Sequence, residues 1–126
     1  MPMRVWVVDD NQCIADTLRK ILGNSGHDAS AFYDAQSALD DAAKSGCPEL
    51  LISDVSMPGM SGVELAMHFC ESYPECRILL VSGHAATQDM TGGFKSKGYN
   101  VEILLKPIFP ADLLARIAAI GESRGD

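Results

Sequence analysis

The sequence predicts an α/β domain in which a parallel sheet of five strands is covered by helices on both faces. Five short apolar runs alternate with segments of helical spacing along the 126 residues. Four of these runs are almost uniformly apolar, which is typical of parallel strands buried on both faces. We therefore expect one doubly wound domain over residues 1–126, with five strands, five helices and an ordered core at about 4–121.

The predicted strands share a high content of β-branched and other apolar residues. The second run is the least apolar, and the single tryptophan of the first run is expected in the core. In chain order the strands are Val5-Trp6-Val7-Val8, residues 29–33, Leu50-Leu51-Ile52, Ile78-Leu79-Leu80-Val81 and residues 101–105.

The starts of the predicted helices carry capping residues. Ser61 and Glu64 form a capping box, in which each side chain can bind the backbone N–H of the other residue. Asp34 can cap the second helix, and Pro110 suits the first turn of the last. The acidic pair that follows the first strand could cap the first helix.

Glycines mark the expected helix ends and one weak helix. Gly23 and Gly26 are expected to end the first helix, because glycine inside a helix costs about 1 kcal/mol relative to alanine. The same cost applies to Gly92 and Gly93. The helix expected near residues 87–97 should therefore be short or irregular.

The composition disfavours two classes of protein. The formal net charge is −7 and the pI is near 4.8, which disfavours binding to nucleic-acid phosphates. No apolar stretch approaches the roughly 20 residues of a membrane-spanning helix, and the N-terminus lacks the layout of a signal peptide. We therefore expect a cytoplasmic protein without direct nucleic-acid binding or membrane attachment.

The cysteines have the pattern of reduced thiols. They lie inside or beside apolar segments and show no C-x-x-C spacing, so neither a zinc site nor a disulfide is expected. They are Cys13, Cys47, Cys70 and Cys76.

Polar side chains follow four of the five predicted strands. Asp9 and Asp10 follow the first strand, Asp54 the third, Ser82 the fourth and Lys106 the fifth. In open parallel sheets, ligands bind at the carboxyl ends of the strands, and right-handed crossovers bring neighbouring ends to one edge. We therefore expect these five side chains to share one cleft.

The expected cleft would contain three carboxylates, one ammonium group and one hydroxyl. Like charges this close disfavour each other's ionisation unless cations join them, and Lys106 supplies only one positive charge. The candidate ligands are all oxygen atoms, which suit Mg²⁺ or Mn²⁺ rather than Zn²⁺. Such a cleft is the outline of a phosphoryl-transfer site. Asp54 is the candidate nucleophile, since a carboxylate can accept a phosphoryl group as an acyl phosphate.

Four segments around these strand ends carry motifs that can be compared with known families. They are VVDDN at residues 7–11, LLISDVSMPGMSG at 50–62, LLVSGH at 79–84 and LLKP at 104–107. Together they resemble the receiver domains of bacterial two-component response regulators, in the order and spacing of that family over nearly the whole chain. The resemblance implies a flavodoxin-like fold with the strand order 2-1-3-4-5.

The resemblance also implies a role for each residue of the acidic cleft. Asp54 would accept a phosphoryl group from a histidine kinase or a histidine phosphotransfer domain. Asp9, Asp10, Asp54 and the backbone carbonyl of Ser56 would hold Mg²⁺ or Mn²⁺, and Lys106 would pair with the phosphoryl oxygens. The domain would promote its own phosphorylation and dephosphorylation without being an enzyme for other substrates.

Phosphorylation would change the surface through residues near the cleft. It adds about 1.5 to 2 negative charges and three acceptor oxygens, which Ser82 would bind as the switch hydroxyl. The loop at residues 82–90 would move inward and repack the face of the fourth helix, fifth strand and fifth helix. That face would bind an unknown output protein or domain, or form a homodimer. Pro107 would follow a cis peptide that aims the preceding lysine at the site.

The expected output face departs from the family pattern. The family has Tyr or Phe three residues before the lysine, where this sequence has Ile103, so the usual aromatic switch is absent. The segment between Ser82 and Lys106 is slightly longer than in common members. His84 could tune how fast water reaches the phosphoryl group, or could be a plain exposed side chain.

Two alternative functions stay open beside the phospho-accepting signalling domain. One is an interaction domain that works without phosphorylation, which Ile103 favours. The other is a Mg²⁺-dependent aspartyl phosphatase, which would need a second acid two residues after the nucleophile, where this chain has Ser56. The phosphatase is also disfavoured because no cap insertion could enclose a substrate.

Overall fold

The computed structural model describes residues 3–83, 94, 97–99 and 101–124. Five strands and four helices are found in these residues. The strands are β1 (Arg4–Val8), β2 (Asp28–Phe32), β3 (Leu50–Asp54), β4 (Arg77–Ser82) and β5 (Val101–Leu105), and the helices are α1 (Gln12–Asn24), α2 (Ala35–Ser45), α3 (Gly62–Ser72) and α4 (Pro110–Arg124). The helix expected near residues 87–97 lies mostly outside the described residues, and its prediction stays open.

All five strands lie parallel in one sheet, in the order β2-β1-β3-β4-β5. This order confirms the arrangement that the resemblance implied. The chain runs from β1 outward to β2 and then crosses back to β3, so the strand order reverses between β1 and β3. A crevice forms at such a switch point, outside the carboxyl ends of the two strands.

Helices cover both faces of the sheet, as the uniformly apolar strands predict. Val7 and Ile52 belong to a buried cluster shared with α1 and α4. Trp6 and Leu51, one position earlier in each strand, belong to a second buried cluster shared with α2 and α3. The edge strand β2 instead contains only exposed and half-buried residues, which explains why its run is the least apolar.

Aromatic rings connect β2, β1 and α3 on one face of the sheet. Trp6 is 1% exposed, and its ring lies 4.7 Å from the ring of Phe32 and 6.4 Å from that of Phe69. The Phe69 ring in turn lies 5.3 Å from that of Tyr73. Tilted and edge-on pairs at these distances stabilise a core beyond their buried area, and the expected core position of Trp6 is confirmed.

Three predicted helix starts are confirmed. The side chain of Asp34 accepts a hydrogen bond from the backbone N–H of Ser37 over 2.7 Å at the start of α2. Ser61 and Glu64 form the reciprocal capping box at the start of α3, with bonds of 3.2 and 3.5 Å. Pro110 is the first residue of α4, where its missing N–H costs no helical hydrogen bond.

The first helix differs from its prediction at its start, whereas its end is partly as predicted. Its cap is Asn11, whose side-chain oxygen accepts from the backbone N–H of Ile14 over 3.3 Å. Asp9 instead accepts from the backbone N–H of Asn11 over 2.9 Å. Gly23 lies inside α1, which continues to Asn24 because a single glycine costs too little to end a packed helix. Gly26 ends the helix as predicted: it has φ +94°, and its N–H donates to the carbonyl of Gly23 over 3.1 Å.

Within the described part of the chain, none of the helices has both the length and the apolar composition that crossing a bilayer requires.

Candidate functional site

The carboxyl ends of four strands carry the polar side chains that the sequence singled out. Asp9 directly follows β1, Asp54 ends β3, Ser82 ends β4 and Lys106 directly follows β5. Backbone hydrogen bonds extend the sheet to two of these positions. The N–H of Asp9 donates to the carbonyl of Phe32 over 3.0 Å, and the N–H of Lys106 donates to that of Ser82 over 2.8 Å. The sheet therefore fixes the backbone from which these side chains project.

Three carboxylates lie together at the switch point between β1 and β3. Asp9, Asp10 and Asp54 each offer a carboxylate oxygen, and these atoms lie within 4.8 Å of one another. Asp9 and Asp54 are buried, with 5% and 9% exposure, whereas Asp10 is exposed. The ammonium of Lys106 lies 3.1 Å from Oδ1 of Asp54. The cluster thus combines three carboxylates with one neighbouring ammonium group.

The environment of Asp9 opposes its ionisation. Burial raises the pKa of its carboxyl above the usual range, and the nearby charges of Asp54 and Asp10 raise it further. The hydrogen bond from Asn11 and the charge of Lys106 act in the opposite direction without cancelling the shift. A buried carboxylate in such a cluster gains from a bound cation, which favours its charged form.

The donor chemistry of the cluster fits a hard divalent cation. Carboxylate oxygens are the ligands that Mg²⁺ and Mn²⁺ prefer, and Mg²⁺ typically takes one or two carboxylates and keeps several waters. Two oxygens bound to one Mg²⁺ are at most about 4.2 Å apart, twice the Mg–O distance of about 2.1 Å. The carboxylate oxygens of the cluster lie within 4.8 Å of one another, so small side-chain movements would let them hold one such ion.

The loop after β3 leads the chain away from Asp54 and back into α3. The N–H of Val55 donates to the carbonyl of Val81 over 3.0 Å, and the N–H of Gly62 donates to the carbonyl of Val55 over 2.9 Å. Between them, Gly59 has φ +76°, a conformation that glycine adopts without strain. Ser56, the predicted source of a carbonyl ligand, is exposed two residues after Asp54.

The remaining predicted site residues lie on β4, on β5 and in the loop after β5. Ser82 is 2% exposed and follows Val81, which lies opposite Asp54 in the sheet. The peptide between Lys106 and Pro107 is cis, as expected. His84 lies outside the described residues, so its predicted role stays open.

The position expected to carry the aromatic switch is part of the sheet. Ile103 lies opposite Leu80 in β5, and its half-buried side chain packs against the cluster shared with α2 and α3. Glu102, its neighbour in β5, forms an ion pair of 3.5 Å with Arg116 of α4. Strand β5 and helix α4 are thus joined at the expected output face.

An apolar groove adjoins the acidic cluster. It lies between α1 and the loop after β5, and its volume is about 700 Å³. Its walls include Ile14 and Ile21 of α1, and Pro107 and Ile108 of the loop. Lys106 lines the same groove, so the groove and the carboxylate cluster share one side chain.

Two residues beside Asp54 were not predicted as part of the site. The hydroxyl of Ser53, which is fully buried, donates to the backbone carbonyl of Asp54 over 3.0 Å. Gly62 packs against the same carbonyl. The sequence did carry a signal for Ser53, because it is a polar residue inside an apolar strand directly before the candidate nucleophile.

Comparison with known proteins identifies the family. Residues 5–118 match the response regulator receiver domain. The chain is 29% identical over 120 residues to the response regulator MprA of Mycolicibacterium vanbaalenii, covering 95% of this chain and 51% of that protein. It is 30% identical over 116 residues to the transcriptional regulatory protein CreB of Escherichia coli, covering 92% of this chain and 49% of that protein. The chain spans about half the length of these curated relatives.

Solved structures agree with this assignment. The CheY-like response regulator receiver domain protein from Methanospirillum hungatei superposes with a TM-score of 0.84 at 25% identity, over 99% of this chain and 98% of that one. Its fold is shared almost from end to end. The described fold, the motifs at its strand ends and the family match lead to one conclusion: this chain belongs to the response regulator receiver domain family.

Proposed function

We propose that this chain is a phospho-accepting signalling domain, in which Asp54 takes a phosphoryl group from the phosphohistidine of a histidine kinase or of a histidine phosphotransfer domain. The observation that carries the proposal is the cluster of three carboxylates beside Lys106 at the switch point of the sheet. Membership of the receiver family supports it. The name "response regulator" of relatives such as MprA agrees with a role in signalling.

The transfer needs one new bond and one broken bond. A carboxylate oxygen of Asp54 attacks the phosphorus of the donor, and the bond from phosphorus to the donor nitrogen breaks. The electron pair of that bond leaves with the imidazole, which then takes up a proton from solvent. The product is an acyl phosphate on Asp54 and a neutral histidine.

The carboxylates of Asp9, Asp10 and Asp54, with the backbone carbonyl of Ser56, would hold Mg²⁺ or Mn²⁺. A bound divalent ion supplies positive charge near the transferring phosphoryl group, where negative charge must be stabilised. The carboxylates of Asp9 and Asp10 provide the negative charge that retains the ion. Their nearness to Asp54 is therefore useful only when a cation is present.

Lys106 and Ser82 would contact the phosphoryl oxygens after transfer. The ammonium of Lys106 lies 3.1 Å from Oδ1 of Asp54, which is within reach of a group attached to that carboxylate. Ser82 ends the neighbouring strand at the same edge. The new charge would draw the Ser82 hydroxyl and the loop that follows it toward Asp54.

The apolar groove beside Lys106 would contact the protein that delivers the phosphoryl group. A donor histidine must approach the exposed side of the carboxylate cluster, and the groove continues from that cluster through Lys106. Ile14 is 36% exposed at the edge of the groove. An apolar surface that joins a charged site suits a helical donor domain with apolar side chains around its phosphohistidine.

The signal would leave through the face that includes β5 and α4. Ile103 and the Glu102–Arg116 ion pair connect the strand to the helix there. An output domain, a separate output protein or a second phosphorylated copy would bind this face. Because Ile103 has no ring to rotate, a change in backbone and packing at β5 would replace the aromatic switch.

The proposal is tested with the purified chain, Mg²⁺ and acetyl phosphate. Intact-mass spectrometry should show a gain of one phosphoryl group that hydroxylamine removes, as expected of an acyl phosphate. Asp54→Ala should abolish the gain. Asp28→Asn is the matched control, because this exposed aspartate lies at the opposite edge of the sheet, and its phosphorylation should equal that of the wild type. Equal labelling of Asp54→Ala would refute the proposal.

The same proteins test an interaction domain that works without phosphorylation, which Ile103 favours. An output partner should bind the acetyl phosphate-treated wild type more tightly than Asp54→Ala. Equal affinity for both proteins would support the alternative. The assay needs a partner, which can be captured from the source cell with the phosphorylated wild type and then purified.

A further inference from the structure

The backbone carbonyl of Asp54 is held by two neighbours that the phosphoryl transfer itself does not use. The hydroxyl of Ser53 donates to this carbonyl oxygen over 3.0 Å. Gly62, the first residue of α3, packs against the same oxygen from the other side of the loop. The two contacts come from opposite ends of the segment that connects β3 to α3.

The end of β3 needs such support because its last residue pairs with β4 but not with β1. The pairing of β1 with β3 ends at Val8 and Ser53, whereas the pairing of β3 with β4 continues to Asp54 and Val81. The register with β1 therefore stops one residue before the candidate nucleophile. Beyond the end of this ladder, the Ser53 hydroxyl binds the carbonyl of Asp54.

The contact at Gly62 leaves no space for a side chain. A Cβ at this position would overlap the Asp54 carbonyl oxygen, and would lie 2.8 Å from the Asp54 carbonyl carbon and 2.9 Å from Cα of Val55. These are backbone atoms, which cannot rotate away as the end of a side chain can. The N–H of Gly62 also donates to the carbonyl of Val55 over 2.9 Å, so the start of α3 is fixed against the end of β3.

We propose that Ser53 and Gly62 are positioning residues for the phospho-acceptor: together they set the orientation of the Asp54 peptide, and hence the place of its carboxylate relative to Lys106 and the acidic pair. The inference rests on the proposed function, because it assigns the two residues a role in that transfer. Phosphoryl transfer depends on alignment, and a misplacement of about 1 Å can reduce the rate by about 100-fold.

Each residue acts on Asp54 in a different way. Removing the Ser53 hydroxyl leaves the buried carbonyl of Asp54 without this donor, so the peptide can rotate. Adding a methyl group at Gly62 pushes the carbonyl away directly. We therefore expect Ser53→Ala to reduce the rate of Asp54 phosphorylation by about 10-fold and Gly62→Ala by about 100-fold.

The experiment measures phosphorylation by acetyl phosphate at saturating Mg²⁺ in both variants, together with the Mg²⁺ dissociation constant and the thermal unfolding temperature. Gly23→Ala is the control for glycine, because a Cβ at Gly23 meets nothing within 4 Å. Ser30→Ala is the control for serine, because Ser30 is exposed in β2. Both controls should react and bind Mg²⁺ within twofold of the wild type.

A second comparison separates positioning from a loss of stability. If Ser53 acts by placing Asp54 against Lys106, Ser53→Ala should reduce the rate of phosphorylation much less in a Lys106→Ala background than in the wild type. The effects of two substitutions are not additive when the residues act through one another. If the effects of Ser53→Ala and Lys106→Ala on the rate are fully additive in this double-mutant cycle, positioning is contradicted. Ser53→Ala also keeps the test decisive if Gly62→Ala does not fold.

The Mg²⁺ measurement distinguishes failure of this inference from failure of the proposed function. A weaker Mg²⁺ affinity in folded Ser53→Ala or Gly62→Ala supports positioning of the carboxylate even if the wild type accepts no phosphoryl group. The inference is overturned if both folded variants bind Mg²⁺ and react within twofold of the wild type.

Discussion

The amino-terminal and carboxyl-terminal edges of the sheet, where the parallel strands begin and end, use polar side chains in different ways. At the amino-terminal edge, polar groups pair with each other across loops. A guanidinium nitrogen of Arg4 donates to the carbonyl of Cys47 over 3.3 Å, and the backbone N–H of Arg4 donates to Glu49 over 3.1 Å. The N–H of Met3 donates to Nδ1 of His27 over 3.1 Å. These bonds join strands to the loops beside them.

At the carboxyl-terminal edge, by contrast, the charges are gathered and only partly balanced. Among the described residues, Asp9, Asp10 and Asp54 lie together, and the ammonium of Lys106 forms an ion pair with Asp54. Such a cluster is less stable by itself than with a cation. A functional site can thus be recognised because its carboxylates lack enough positive charge nearby. At a structural edge, the polar groups already have hydrogen-bond partners.

The two buried cysteines, Cys70 and Cys76, have no part in the acidic cluster. Burial raises the pKa of Cys70 to about 11, and burial likewise raises the pKa of Cys76. Thiols in such surroundings stay protonated and react slowly at neutral pH. The described cysteines are all free.

The largest expected effect is that of removing divalent ions. Chelation of divalent ions should reduce the rate of Asp54 phosphorylation by acetyl phosphate about 100-fold or more, because the cluster then lacks the charge that the transfer requires. The rate is measured by intact-mass spectrometry before and after addition of EDTA. Excess Mg²⁺ should restore it. A rate unchanged in EDTA would contradict the metal-binding role of the acidic cluster.

Arg4→Ala should affect stability without affecting the site. It removes the bond to the Cys47 carbonyl and the guanidinium that lies 5.4 Å from the centre of the Trp6 ring. We expect the free energy of unfolding to fall by about 1 to 2 kcal/mol, as measured by urea denaturation. Phosphorylation at saturating Mg²⁺ should stay within twofold of the wild type. A large loss of phosphorylation in the folded variant would show that the two edges are coupled.

Asp34 follows β2 at the same edge of the sheet as the acidic cluster, but its carboxylate already has a structural role. It caps α2 through the N–H of Ser37, and this bond lowers the pKa of its carboxyl. Asp34→Ala should reduce the free energy of unfolding by about 1 kcal/mol, and Asp34→Asn by less, since asparagine also caps helices. Because the folded pKa is lowered, this contribution is present at neutral pH and is lost as the pH falls through that pKa. Neither variant should change phosphorylation.

The smallest expected effect is a pH dependence of the metal-free protein. The pKa of Asp9 is raised from its ordinary 3.8, mainly by burial, so the folded state holds this proton more tightly than the unfolded state. The contribution of Asp9 to stability should therefore decrease as the pH rises from that ordinary value through the raised pKa.

Thermal unfolding in EDTA across this pH range, compared between the wild type and Asp9→Asn, measures this contribution. The decrease in stability with rising pH should be smaller in Asp9→Asn. We expect this variant to be the more stable of the two proteins at pH 7 without metal. At saturating Mg²⁺, the wild type should instead be the more stable of the two. Parallel pH profiles for the two proteins would contradict the electrostatic cost assigned to Asp9.

The sequence predicted those features that depend on local patterns. Uniformly apolar runs predicted strands covered on both faces, and the capping box at Ser61 and Glu64 predicted the start of α3. The polar residues at the carboxyl ends of four of the five strands predicted that Asp9, Asp54 and Lys106 lie near one another. Local patterns do not specify the order of the strands in the sheet, which was predicted from the family resemblance instead.

Features that depend on the path of a loop could not be predicted in the same way. The cap at Asn11 rather than at an aspartate depends on how the chain leaves β1. The contacts of Ser53 and Gly62 with the Asp54 carbonyl depend on where the loop returns α3 to the sheet. Helix packing also kept Gly23 inside α1, against its local propensity.

The aromatic contacts of Trp6 have a practical consequence. This residue is the single tryptophan of the chain, so the intrinsic fluorescence of the protein reports one known place. Its ring packs against Phe32, whose carbonyl accepts the N–H of Asp9. The core therefore contains a built-in optical probe that is connected to Asp9 of the acidic cluster through Phe32, and we expect changes at that cluster to alter its emission without any label.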